Sequence, residues 1–241
     1  MKRYGQNFLV SALIVAFLLL PWARWNREAV SVWRPARMPE STLVIDAGHG
    51  GEDGGAVSIS GAIESHINLA IALRLHALLN FCGADSVLIR EEDRSIHDDT
   101  AKTLREKKVS DLHNRAAIVE NTENAVLISV HQNTFTSQKY HGAQVFYGAN
   151  PDSLPLAQAI QNQLRDVLDP ENGRVPARIP SGVYLMNHIT CPAVLVECGF
   201  LSHPEEDVLL QTPEYQTKLA AVLASSFVTY QLTGGEPLHE K

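Results

Sequence analysis

The sequence predicts an α/β protein: an open, mostly parallel twisted sheet flanked by helices on both faces, in a single domain. Three observations predict it. Short aliphatic runs, TLVI at 42–45, AVLISV at 125–130 and AVLV at 193–196, have the length and β-branched content of buried strands. Each run delivers a residue able to bind a metal or move a proton: His49 just past a glycine turn, His131 and Glu197 directly. Residues 42–90 read as strand, helix, strand, a crossover of ordinary length that sets the two strands parallel. Open α/β sheets gather their ligands at the carboxyl ends of strands, where these three side chains are placed.

At 241 residues and 45% hydrophobic content, the chain suits one α/β domain with a short attachment. A formal charge of -7, with no basic cluster beyond Lys107 and Lys108, excludes a nucleic-acid partner, whose phosphates demand a basic face. The cysteines, Cys82, Cys191 and Cys198, are too few and oddly numbered for a disulfide framework. They are expected to be three buried thiols.

Taken in order, Lys2 and Arg3 precede an apolar run at 8–22 that only Ser11 and Pro21 interrupt, and Arg24 and Arg27 follow it. The run exceeds the apolar core of about 7–15 residues of a signal peptide and falls short of the roughly 20 that span a bilayer. No small-x-small cleavage site follows. Residues 1–28 are therefore expected to be an uncleaved signal anchor, with a cleaved signal peptide as the alternative. Either way the domain is exported, and the membrane is reached through this segment only. Residues 29–40 hold two prolines and no sustained period, a linker; the folded domain is expected at 41–232 and a tail at 233–241.

Within the domain, Ile63, Ile67, Ile71, Leu75 and Leu78 recur at spacings of three and four, a core-facing helix over 63–80. Glu64 sits in its first turn, beside the loop carrying His49, where the helix dipole favours a carboxylate. DSVLIR at 85–90 is the second strand. The charged stretch 91–108 reads as a solvated surface excursion, and its His97 as a surface histidine rather than a ligand. Ser110 is placed as the N-cap of a helix through Glu120, with Leu112, Ala116 and Val119 on one face. GAQVFY at 142–147 is another strand, and 151–168 a further helix. His141 reads first as a solvent-facing loop residue. The proline-rich loop 169–180 carries Arg174 and Arg178; such loops are usually solvated, yet beside strand ends they collect substrate contacts. Pro213 suits the first turn of a last helix over 214–231.

Two histidines and a carboxylate are a familiar ligand set for a catalytic zinc, which keeps a fourth position open. His49, Glu64 and His131 are the expected set. They lie far apart in sequence, so position carries the weight: two ligands at strand ends and one at an adjacent helix start converge on one cleft. Glu197 is then free for proton transfer, since a carboxylate beside an activated water can take its proton and pass it to a departing amine. A carboxylate ending a wholly apolar strand costs enough desolvation to call for a functional reason. A fourth ligand or a buried ion-pair partner is its alternative role.

TLVIDAGHGGEDGG, Glu64 within IESHINLAIA, SVHQN, GAQVFY and PAVLVECGFLSHPEE together resemble the zinc-dependent N-acetylmuramoyl-L-alanine amidase family (type 3) of bacterial cell-wall hydrolases, over residues 42–232. The resemblance implies a catalytic domain of the fold above, zinc at His49, Glu64 and His131, and Glu197 as acid/base. The implied reaction splits the amide between the lactyl group of N-acetylmuramic acid and L-alanine in peptidoglycan. One hydrophobic N-terminal segment and no wall-binding repeats are similar to the spore-cortex members, which prepare muramic-δ-lactam, the mark read in germination. That implies action at the outer face of the cytoplasmic membrane or in the cell wall and, in a sporulating cell, in the intermembrane space of the forespore. Some members need an activator protein. Asn133 and Asn187 are candidate substrate contacts; Asn187 stands where the family is usually basic, and Cys198 where it is usually aliphatic. A zinc exopeptidase acting on free peptides and a non-catalytic wall scaffold are the alternative functions.

Overall fold

The computed structural model describes residues 41–233. The expected anchor at 1–28, the linker at 29–40 and the tail beyond Thr233 lie outside the described residues. The first aliphatic run forms β1 (Thr42–Ala47), whose Leu43, Val44, Ile45 and Ala47 are wholly buried. A glycine-rich loop leads into α1 (Glu64–Cys82), which Gly83 ends in the left-handed conformation, φ 75°. Ile67, Ile71, Leu75 and Leu79 of α1 pack into the core. Each such burial contributes about 1.5–3 kcal/mol relative to exposure.

The chain continues through β2 (Ser86–Leu88), α2 (Leu104–Glu120), β3 (Ala125–Asn133), β4 (Gln144–Tyr147), α3 (Ser153–Leu168), β5 (Ala177–Arg178), α4 (Tyr184–Asn187), β6 (Ala193–Phe200), α5 (Pro204–Leu210) and α6 (Pro213–Thr233). One six-stranded sheet results, in the order β2-β1-β3-β6-β4-β5. Its pairings are parallel except that β4 runs antiparallel to β6. Alternation of side chains along the strands divides the core. Ile45, Ile128, Val130, Val194 and Val196 face the layer of α1, α3 and α6. Val44, Leu127, Ala193 and Leu195 face α2 and α4. The open sheet with helices on both faces is thus the fold the sequence predicts.

Several boundaries differ from expectation. α2 starts at Leu104, where Thr103 and Glu106 form a capping box. The last part of the charged stretch is therefore helical, and Ser110 is no N-cap: its hydroxyl donates to Asp98 and accepts from the Asp98 N–H. β3 and β6 do not stop at His131 and Glu197 but run on to Asn133 and Phe200, with a shift of register between His131 and Asn133. The loop at 169–180 contains β5, and α4 and α5 were not expected; at 2, 4 and 7 residues these elements are too short to show a period. Cys82 is exposed at the end of α1, contrary to the expectation of three buried thiols, whereas Cys198 is buried, Cys191 lies between, and all three are free. Among the described residues no helix is long and apolar enough to cross a membrane.

Candidate metal centre and catalytic carboxylate

His49 follows β1 in the left-handed conformation, φ 61°, which is unusual for a residue with a side chain. Buried donors hold that backbone in place. Arg90 Nε and Arg115 Nη1 both donate to the Ala47 carbonyl, at 2.8 and 3.0 Å. Arg90 Nη2 and Asn68 Nδ2 both donate to the Gly48 carbonyl at 3.1 Å, and Arg115 Nη2 reaches the His49 carbonyl at 2.8 Å. Three consecutive carbonyls thus meet side-chain donors instead of water, a requirement for backbone buried in a loop. Asp46 and Asp111 neutralise Arg115, and Ser129 donates to Asp46 at 2.6 Å.

Glu64 opens α1 and is 3% exposed. Its Oε1 lies 3.1 Å from His131 Nδ1 and 3.5 Å from His49 Nε2. The same oxygen accepts from Gln132 N and Asn68 Nδ2, and Oε2 accepts from Ala56 N. Burial alone would raise the Glu64 pKa, but the hydrogen bond and charge of His131, with His49 and the Ala56 N–H, bring it down to about 2. For His131 burial opposes the charged form, yet Glu64 and Glu197 outweigh it and raise the imidazole. Asp53 Oδ2 stands 3.2 Å from His49 Nδ1, the ring nitrogen turned away from Glu64, and fixes how that ring presents Nε2.

Two close approaches need glycine. A Cβ on Gly55, φ 74°, would meet Glu64 Oε2 at 2.5 Å and His49 Cδ2 at 2.7 Å. One on Gly48 would stand 2.7 Å from His131 Cδ2 and closer still to two other ring atoms.

Glu197 is the β6 residue paired with His131 of β3, so both side chains leave the same face of the ladder. Its Oε2 is buried without a hydrogen-bond partner. Burial pushes its pKa up to about 7, with the nearby His131 opposing the shift and Glu64 adding to it.

The residues fit a tetrahedral zinc. One donor atom from each of His49, Glu64 and His131 falls within 4.8 Å of the other two. Bonds of about 2.0–2.1 Å imply donor separations near 3.4 Å, close to the 3.1 and 3.5 Å found here. The fold thus brings together all four residues that the sequence marked for chemistry.

Asn133 lies on the same strand just past His131, its carbonyl accepting from Leu201 N. Asn187 ends α4 and turns its amide into its own loop, donating to the carbonyls of Pro180 and Val183. His97 pairs with Ser95, and His141 faces Asp169 at 3.5 Å. Sequence reasoning missed Asp53, Asn68, Arg90 and Arg115. Arg90 did carry a signal: a charge ending the apolar strand DSVLIR has the same desolvation cost that drew attention to Glu197.

An open α/β sheet with a His, Glu, His cluster at its carboxyl edge and an unpartnered carboxylate alongside defines a hydrolase with a candidate metal centre. The chain belongs to the N-acetylmuramoyl-L-alanine amidase family, whose profile matches residues 43–227. It is 35% identical over 234 residues to the germination-specific N-acetylmuramoyl-L-alanine amidase of Bacillus subtilis, covering 96% of each chain. The CwlD amidase of Clostridioides difficile, solved in complex with the GerS lipoprotein, superposes with a TM-score of 0.77 at 38% identity, over 80% of this chain and 99% of that one. An N-acetylmuramoyl-L-alanine amidase from Clostridium difficile 630 gives 0.68 at 27% identity, over 79% and 96%. The protein is accordingly an amidase of peptidoglycan.

Proposed function

We propose that the protein is a zinc amidase of spore-cortex peptidoglycan, with zinc held by His49, Glu64 and His131 and with Glu197 as the acid/base. The observation that carries this reading is the approach of both imidazoles to one Glu64 oxygen while Glu197, in register with His131, keeps a buried oxygen free of partners. Zinc, when bound, supplies Lewis acidity at the carbonyl and acidifies water. Glu197 takes a proton from the attacking water as its oxygen joins the lactyl carbonyl carbon. As the C–N bond breaks, Glu197 returns that proton to the nitrogen of L-alanine. Asp53 holds the His49 ring, and the buried donors hold the loop beneath it, so little reorganisation accompanies the reaction.

The lactyl carboxyl group left behind is the one muramic-δ-lactam requires. The likeness to a germination-specific relative supports that place in cortex processing. Action follows outside the cytoplasmic membrane, in the forespore's intermembrane space, with residues 1–28 as anchor, 29–40 as linker, 41–232 as catalytic domain and 233–241 as tail. The lipoprotein complex of the related amidase supports an activator partner for this chain too. Elemental analysis for zinc, with mass spectrometry of products from purified peptidoglycan, tests the reading. Zinc together with released stem peptides and bare muramic acid is expected. Turnover of free peptides lacking muramic acid would favour an exopeptidase, and zinc-loaded protein that releases nothing, with activator present, would leave the scaffold role.

A further inference from the structure

β3 and β6, which carry His131 and Glu197, both run past those residues into a ledge of aromatic and cationic side chains at the sheet's carboxyl edge. Tyr140 packs edge-on to Phe135, ring centres 5.0 Å apart, and lies 6.5 Å from Phe200. Phe135 and Tyr140 remain 56% and 38% exposed. A cation sits on each of two rings: Lys139 Nζ 5.1 Å from the centre of Tyr140, and the Arg174 guanidinium 5.0 Å from that of Phe200. Glu206 staples the ledge, accepting from Gly142 N at 2.9 Å and Phe200 N at 2.7 Å.

Arg174 is held for use. Its Nε and Nη2 donate to the His141 carbonyl at 3.3 and 3.2 Å, which leaves three of its five N–H groups, at the Nη1 and Nη2 end, facing no acceptor among the described residues. That free end has the fork that grips a carboxylate with two parallel hydrogen bonds. Among the described residues neither Arg174 nor Lys139 forms an ion pair, in a chain of net charge -7. We propose that Arg174, with Lys139 as a second cation on the same aromatic ledge, binds a free carboxylate of the stem peptide one residue beyond the L-alanine. The inference rests on the amidase reading and deepens it.

The spacing agrees. Phe200 pairs with Asn133, two residues past His131 across the register shift, so it stands about 7 Å beyond Glu197 along the sheet. In the stem peptide the glutamate after L-alanine is joined through its side chain, so its α-carboxylate is free, about two residues' length or ~7 Å from the scissile amide. The two lengths are the same to within one residue's rise.

The test uses the purified full chain and two muramoyl tripeptides that differ only at this group, one with the free carboxylate and one with its amide. Wild-type protein is expected to favour the acid by about 10- to 100-fold in kcat/KM, mainly through KM. Arg174→Ala is expected to bring that ratio close to one, and Arg174→Lys, which keeps the charge without the fork, to restore part of it. A wild type that does not distinguish the substrates, or an Arg174→Ala that loses equally on both, overturns the inference while leaving the amidase reading intact. Turnover of neither substrate by wild type with the activator present removes the amidase reading, and this inference with it.

Discussion

Gly48→Ala isolates one contact. The glycine's φ lies outside the left-handed region, so alanine meets no backbone strain, and the whole effect falls on the His131 ring. The added Cβ would stand 2.7 Å from Cδ2 and nearer to Cε1 and Nε2. Carbon contacts settle at about 3.5–4.0 Å, so the ring must retreat by about 1 Å or more. A catalytic geometry tolerates roughly 0.5 Å, and a displacement near 1 Å costs about 100-fold. Overpacking should also remove about 1–3 kcal/mol of stability. Zinc affinity, measured by competition with a chelator, is expected to fall together with release of stem peptides from peptidoglycan, while circular dichroism shows the fold retained. An alanine variant that binds zinc and turns over as wild type would refute the close packing of this loop on His131.

Three further outcomes are expected. Glu197→Gln keeps zinc but lowers turnover by about 10²–10⁴-fold; metal analysis and product release read the two separately, and near-normal hydrolysis would remove the residue from its role. Asp53→Asn, which replaces the carboxylate at His49 Nδ1, weakens zinc binding by about 10- to 100-fold; unchanged affinity would show that His49 needs no support there. The third concerns pH. Burial opposes ionisation of Asp46, but Arg115, His131 and the Ser129 hydroxyl outweigh it and hold its carboxyl below the usual range of 3.8. A depressed folded pKa stabilises the protein above the unfolded value and loses that contribution as pH falls below about 4. Asp46→Asn should therefore flatten the acid limb of a stability–pH curve, and an acid limb identical to wild type would count against the pair.

The sheet and the four chemical residues were legible because each sits where a strong local pattern ends: an aliphatic run that closes on His131 or Glu197, a glycine turn before His49, a helix that opens on Glu64. Patterns of that kind need little tertiary context. The supporting residues were hidden for the opposite reason. Arg90, Arg115 and Asn68 reach the loop at 47–49 from elements 20 to 68 positions away in sequence. A side chain that donates to a distant carbonyl leaves no spacing to read. α2 was placed too late because its first turn is densely charged, although Thr103 and Glu106 did spell a capping box. β3 and β6 looked shorter than they are because a polar residue interrupts each, and a strand that carries a working side chain has to accept such an interruption.

The strand order holds one more consequence. β2, β1 and β3 come from the first part of the chain and β6, β4 and β5 from the rest, and the two sets meet only along β3 and β6. His49, Glu64 and His131 belong to the first set and Glu197 to the second. On the proposed roles, holding a metal and moving a proton fall to different halves of the polypeptide. As the chain leaves its site of synthesis, the three residues proposed to hold the ion are made before the residue proposed to move the proton. Pairing of the final long strand with β3 is what sets Glu197 beside His131, so on that reading it is the arming step.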